Sequence, residues 1–323
     1  MTLVFVSVMG NTMQTPTQET VTTRLRTFKG ALPEPVKALV RGTTRAAGVL
    51  TSSARVLPDF LVIGTKRGGT TSLWFALAWH PDVAPLFPAL QEQKSPHYFD
   101  IHYDRPLSWY RSFFATRAQL RRHEARTGRR AFTGEASPYY MFHPLAAERI
   151  AKALPEVKLV VSLRDPVERL WSHYNERLAG HTETLGVEQA VDAEEGRLAG
   201  EVERIVAEQP GYYSFHHDLS SYLARGRYLE HLQPYLDRFG PDQLLVLRAE
   251  DYYSDPQGEL AKVSAHVGLA PFADQGAPEH YNRLPRSSMP DALRARLVEY
   301  YRPHVDALQS ALDRDFRWKN FRS

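Results

Sequence analysis

One segment constrains the fold more than any other. Asp59-Phe-Leu-Val-Ile-Gly64 runs directly into Thr65-Lys-Arg-Gly-Gly-Thr-Thr-Ser72. Four apolar residues closed by glycine read as a strand buried on both faces, the kind found in parallel sheets. Ser72 to Trp79 reads as a helix. A strand, a glycine turn and a helix in that order make an anion cradle: glycines let backbone N–H groups turn inward, and the helix N-terminus adds partial positive charge. The chain has 40 Lys plus Arg, of which only eight are lysines, so Lys66 inside this turn stands out from its background.

The turn differs from an ATP-type phosphate loop. Gly64 and Gly69 have the right spacing, but Thr70 takes the lysine position and the cations Lys66 and Arg67 lie inside the loop. A P-loop nucleotide kinase or NTPase, with its hydroxyl-bound Mg²⁺, therefore stays only as an alternative.

The second informative run is Val160-Val-Ser-Leu-Arg-Asp-Pro-Val-Glu-Arg-Leu-Trp-Ser-His-Tyr174. Lys158 to Leu163 reads as a buried strand and Pro166 to Leu178 as a helix, with Asp165 as its cap and Pro166 at its first position. Ser172 returns to the face of Asp165 two turns on. An arginine at the strand end (Arg164) and a serine on that face suit closure on one phosphate. In open α/β sheets, ligands gather at the carboxyl ends of the strands.

Other elements follow from pattern. Helices are expected over 107–126, 144–154, 219–239, 256–267 and 290–312, and strands over 131–134 and 243–248. Residues 183–209 are acidic and read as a helical insertion. Strands alternating with helices predict an α/β domain around a central parallel sheet. Residues 1–55 are expected to form a basic N-terminal extension, partly disordered or amphipathic, with 56–323 the main domain. Within it, residues 21–55 carry seven cations against Glu34, broken by Pro33 and Pro35, and suit peripheral contact with an anionic membrane as well as simple packing. The formal net charge is only +3, too little for a nucleic-acid coat, and there is no cysteine, which excludes disulfides, thiolate metal sites and a cysteine nucleophile. No apolar run reaches the roughly 18 residues of a membrane span, and no secretory signal is read, so a cytoplasmic setting, with or without membrane association, is expected. The Arg-rich, Lys-poor composition suits a bacterial source.

Taken together these residues resemble the P-loop sulfotransferases that use 3′-phosphoadenosine 5′-phosphosulfate (PAPS), most of all the heparan-sulfate type and its bacterial relatives. The turn at 64–73 resembles that family's 5′-phosphosulfate loop, and Leu163-Arg-Asp-Pro…Glu-Arg…Ser172 its 3′-phosphate motif. Further matches are His80-Pro-Asp, Pro96-His-Tyr-Phe-Asp100, Gly134-Glu-Ala-Ser-Pro-Tyr-Tyr140, Gly226-Arg-Tyr228, Leu245-Val-Leu-Arg-Ala-Glu-Asp251 and Asp255-Pro256. The resemblance implies a three-layer P-loop sulfotransferase-like fold and sulfuryl transfer from PAPS to a hydroxyl or amine of a carbohydrate or secondary-metabolite acceptor, leaving PAP, with no metal required.

For the donor it implies Lys66, Arg67, Gly68, Gly69, Thr70, Thr71 and Ser72 on the phosphosulfate, Arg164 and Ser172 on the 3′-phosphate, and Tyr228, Arg283, Arg286 and Ser287 closing over the nucleotide. Three positions depart from the family pattern. Arg67 holds the usual lysine position, Ser95 stands where the catalytic glutamate is usual, and Ala136 replaces a lysine. The base is therefore sought among His97, Asp100, Glu92 and Glu135, with His97 first and Asp100 or Glu135 orienting it. Lys94 is a candidate contact for an anionic acceptor, and Trp74, Trp79, Tyr98, Tyr139 and Tyr140 are candidate stacking surfaces. Ser95 and Ala136 also leave open a non-catalytic PAP- or glycan-binding protein.

Overall fold

The structure is a computed structural model that describes residues 34–88, 95–272 and 288–322. Two compact units emerge, residues 1–46 and 47–323. In the first, helix α1 (Glu34–Leu50) begins and continues past the unit's edge. Pro35 lies in its first turn, where a missing N–H costs nothing, so it starts the helix instead of breaking it. Residues 51–55 are tied into the second unit. Arg55 donates to the Phe114 carbonyl at 2.6 Å, and Arg117 donates to that of Ser53 at 2.7 Å.

The second unit is built on a four-stranded parallel sheet of β1 (Phe60–Gly64), β2 (Gly134–Ala136), β3 (Lys158–Leu163) and β4 (Leu244–Arg248), in the order β2-β1-β3-β4. Every β1 residue is buried, as a fully apolar central strand requires. Helices α2 (Thr70–Trp79), α3 (Leu107–Arg111), α4 (Arg117–Thr127), α5 (Ala146–Ala153) and α6 (Pro166–Ala179) join these strands. The short α7 (Val187–Asp192), α8 (Glu194–Leu198), α9 (Glu201–Ala207) and α10 (Phe215–Leu219) come next. Then follow α11 (Tyr228–Leu236), α12 (Ala249–Ser254), α13 (Pro256–Val267) and α14 (Asp291–Ala311). Helix α2 packs on β1 and β2, and α13 on β3 and β4. No helix of the described residues is long and apolar enough to cross a membrane.

Three elements differ from expectation for local reasons. The expected helix over 107–126 splits because Thr116 starts a new one: its side chain and that of Gln119 exchange hydrogen bonds with each other's backbone N–H. The strand expected at 131–134 begins at Gly134, because Phe132 pairs with residues 82–84 instead. The helix expected over 219–239 is interrupted because the Leu223 and Ala224 N–H groups donate to the buried Glu194 carboxylate, at 2.5 and 2.7 Å. Glu194 belongs to the 183–209 segment, which is helical as expected but sealed into the domain through Ala190, Val191 and Ile205.

The turn after β3 is the best-anchored point. Asp165 Oδ1 caps α6 by accepting from Val167 and Glu168, and Oδ2 accepts the backbone and side-chain N–H of Asn320 at 3.2 and 2.9 Å. Asp165→Ala removes the cap and this tie to the C-terminal segment together. A loss of about 2 kcal/mol is expected, read as a lower urea midpoint at unchanged slope.

Candidate active site

The glycine loop is pinned to the neighbouring strand. Thr65 N–H donates to the Ser162 carbonyl at 3.0 Å, and Ser162 Oγ donates to the Gly68 carbonyl at 2.7 Å. A Cβ at Gly68 would lie 2.3 Å from the Ser162 oxygen, so only glycine lets the loop approach β3 this closely. Gly69, at φ +83, turns the chain into α2. The amides of Gly69, Thr70, Thr71 and Ser72 thus stand at the positive end of α2. Arg67 is itself left-handed, at φ +70, a conformation that costs a non-glycine residue on the order of 1 kcal/mol.

Lys66 and Arg67 diverge. Arg67 Nε donates to Ser172 Oγ at 3.0 Å, and its Nη1 meets Glu176 Oε1 at 3.1 Å. Lys66 Nζ lies 3.5 Å from Asp218 Oδ1. Burial lowers the Lys66 pKa to about 8; Arg225 pushes the same way, and the Asp218 carboxylate opposes them. Arg164 is buried at the end of β3, and its guanidinium makes no hydrogen bond or ion pair among the described residues. Its carbonyl accepts from Tyr228 Oη at 2.7 Å. Tyr228 is therefore a buried residue that holds the Arg164 backbone. Arg283, Arg286 and Ser287 lie outside the described residues, as do Glu92 and Lys94.

A second cluster forms from two neighbouring loops. His97, also left-handed at φ +52, sets Nδ1 2.8 Å from Asp100 Oδ2. Burial works against an imidazolium here, but Asp100, helped by the Glu135 and Asp218 carboxylates, outweighs it and holds the His97 pKa above its ordinary value. Glu135 is fully buried, accepting from Tyr110 Oη at 3.2 Å and from Ser137 Oγ at 2.7 Å. Ser137 Oγ in turn accepts the His97 N–H at 3.2 Å. Asp100 is therefore the direct partner of His97, and Glu135 supports its backbone through Ser137. Burial raises the Glu135 pKa to about 7, against the hydrogen bonds it accepts. Ser95 donates to the Ala136 carbonyl, tying the two loops together.

Of the aromatic candidates, Trp74, Tyr98, Tyr139 and Tyr140 are core residues, while Trp79 is exposed. Tyr98 stacks on Tyr110 at 4.6 Å, and Tyr139 Oη meets His217 Nδ1 at 2.8 Å. Sequence reasoning missed Glu176, Tyr213, Asp218 and Arg225. Glu176 had a signal, one turn beyond Ser172 on the same face of α6. Asp218 had none, because its contact with Lys66 spans 152 residues.

Loop cations beside a serine of the next strand's helix, with a His–Asp pair nearby, form a site for an anionic group and a proton acceptor. The family model described as "Sulfotransferase domain" matches residues 57–289. The chain belongs to this sulfotransferase family. Membrane-associated sulfotransferase kil1 of Dictyostelium discoideum is 25% identical over 329 residues, covering 82% of this chain and 67% of the relative. Heparan sulfate glucosamine 3-O-sulfotransferase 3B1 of Mus musculus is 27% identical over 310 residues, covering 88% of this chain and 69% of its own length. The crystal structure of a sulfotransferase from Alicyclobacillus acidocaldarius matches with a TM-score of 0.59 at 26% identity, covering 80% of this chain and 97% of that one. The central parallel sheet and its glycine loop are thus the sulfotransferase fold, as expected.

In this sulfotransferase the His97–Asp100 pair has a direct readout. By NMR the His97 ring is expected to titrate above the ordinary value of about 6.5, and Asp100→Asn to bring it below, since burial is then opposed by much less. An unchanged titration in the variant rules out the pairing.

Proposed function

We propose that this sulfotransferase moves a sulfuryl group from PAPS to a hydroxyl or amine of a carbohydrate-type acceptor, releasing PAP. The observation that carries this reading is the 3.0 Å contact between Arg67 and Ser172. It joins two motifs 105 residues apart, each suited to one phosphate of a bisphosphate. The buried Arg164, whose guanidinium makes no direct ion pair among the described residues and has Glu168 within electrostatic reach, supports a 3′-phosphate beside Ser172. The carbohydrate-type acceptor is supported by the heparan sulfate relative.

Sulfuryl transfer passes through a loose in-line transition state, as phosphoryl transfer does, so positioning and charge stabilisation do most of the work. The bond from sulfur to the bridging oxygen breaks as that from sulfur to the acceptor oxygen or nitrogen forms. Negative charge grows on the departing phosphate, where Lys66, Arg67 and the first amides of α2 would hold it. The acceptor proton passes to His97 Nε2, because Nδ1–H is turned to Asp100. Glu135 stays behind as the support for His97.

The nucleotide kinase reading loses ground to Thr70 in the lysine position. Lys66→Ala and Arg67→Ala should each reduce turnover by roughly a hundredfold, measured as PAP release over an acceptor panel. Arg164→Ala should mainly weaken PAP binding, by about tenfold to a hundredfold in calorimetry. Full activity in both loop variants overturns the assignment, and PAP binding without turnover on any acceptor favours a binding protein.

A cytoplasmic, bacterial setting remains part of this reading on composition alone. Peripheral membrane contact through residues 21–55 is supported by their charge and by the membrane-associated relative. Sedimentation with anionic vesicles should fall when residues 21–33 are removed, and unchanged sedimentation excludes that stretch.

A further inference from the structure

Lys66 and Arg67 are adjacent in sequence but end on different partners, and the partner of Lys66 is unusually well fixed. Asp218 offers it two acceptors, the carboxylate at 3.5 Å and the backbone carbonyl at 3.4 Å. Arg225 grips the same two groups from behind, donating through Nη2 to the Asp218 carbonyl at 2.6 Å and to Oδ1 at 3.0 Å. Tyr213 Oη donates to the free oxygen, Oδ2, at 3.0 Å. Ser214 caps the short helix that carries Asp218, accepting from the His217 N–H at 3.0 Å.

Arg225 itself cannot swing away. It is 1% exposed, and its guanidinium lies over the rings of Phe142 and Tyr139, at 4.4 and 5.1 Å from their centroids. Its Nε and Nη1 have no hydrogen-bond partner among the described residues. A buried guanidinium with unpartnered N–H groups is costly, and the strongest contact it makes is with Asp218.

We propose that Asp218, clamped by Arg225 and Tyr213, is the positioning residue that aims Lys66 toward the acceptor side of the pocket, away from the direction in which Ser172 and Glu176 hold Arg67. The inference rests on the sulfuryl-transfer reading of the same pocket and deepens it. The charges that face Lys66 explain why a clamp is needed: the guanidiniums of Arg225 and Arg177 against the carboxylates of Asp218 and Glu176, with buried, neutral His173 alongside. Without the Asp218 carboxylate, Lys66 meets two guanidiniums and one carboxylate, and it either turns away or gives up its proton more readily. Asp218 also lies within electrostatic reach of His97, which puts the ammonium and the base on one side of the pocket.

The test is Asp218→Asn, which keeps shape and removes charge. PAP affinity by calorimetry is expected to stay within about twofold, while kcat falls about tenfold to a hundredfold, the scale of a misplaced catalytic group. The pH profile of kcat/KM for the donor separates this from general damage. Its alkaline limb follows loss of the Lys66 proton, near 8 in the wild type, and moves to lower pH in the variant because the charge that favoured the ammonium is gone. The acid limb, set by His97, moves down slightly for the same reason. Asp218→Glu should recover part of the rate. If the asparagine variant does not fold, Tyr213→Phe, which frees one oxygen of the clamped carboxylate, should lower kcat by less while PAP affinity holds. An unmoved limb in Asp218→Asn, an unchanged kcat in Tyr213→Phe where the asparagine variant does not fold, or a loss of PAP affinity as large as the loss of turnover, overturns the clamp. Absence of PAP binding by the wild-type protein overturns the reading beneath it instead.

Discussion

The site depends on a seam between a glycine loop and the strand beside it. Thr65 and Gly68 exchange hydrogen bonds with Ser162, one through backbone and one through the serine hydroxyl. Because Ser162 precedes Arg164 by two residues, the seam fixes the glycine loop relative to the turn that carries Arg164 and, through the Asp165 cap, to α6 with Ser172 and Glu176. The two motifs are thus registered by main-chain geometry. Long side chains alone would lose too much rotamer freedom to hold that register.

That rigid frame concentrates positive charge in a low-dielectric place, which the fold offsets with buried or half-buried carboxylates. Glu176 holds Arg67, Asp218 holds Lys66 and Arg225, and Glu183 holds Arg197 at 2.6 Å. Glu176 and Ser172 hold Arg67, and Asp218 holds Lys66, so both cations are oriented by fixed partners. Preorganisation of this kind lets fixed charges stabilise a transition state without rearrangement at the moment of transfer.

What was legible in the sequence divides along physical lines. β1, β3, the glycine loop and α6 were readable because each is dictated by its own residues: an unbroken apolar run, glycines followed by a helix, and Asp-Pro at a cap. His97 and Asp100 were readable as a pair three residues apart. The split of the 107–126 helix was also written locally, in the Thr116–Gln119 reciprocal cap, but a strong aromatic pattern hid it. Asp218, Arg225 and the Tyr228 contact with Arg164 were not legible, because each exists only once α10, the 220–226 turn and α11 have folded back on β3. The break at Leu223 and Ala224 is set by Glu194, a residue about 30 positions away in the acidic 183–209 segment.

The reversed order of cations in the loop follows from the same geometry. With Arg67 in a left-handed conformation, successive side chains leave the loop in different directions, so two adjacent cations reach two different sets of partners. The end at Ser172 and Glu176 needs a donor with several N–H groups in a fixed fork, which arginine supplies and lysine does not. The other end suits a compact ammonium whose charge responds to its surroundings, and Lys66, with its pKa brought to about 8, is that group. Arginine in that place would stay charged at any pH the protein meets. Placing the proton-labile cation beside Asp218 ties the charge of the loop to a carboxylate that also acts on His97.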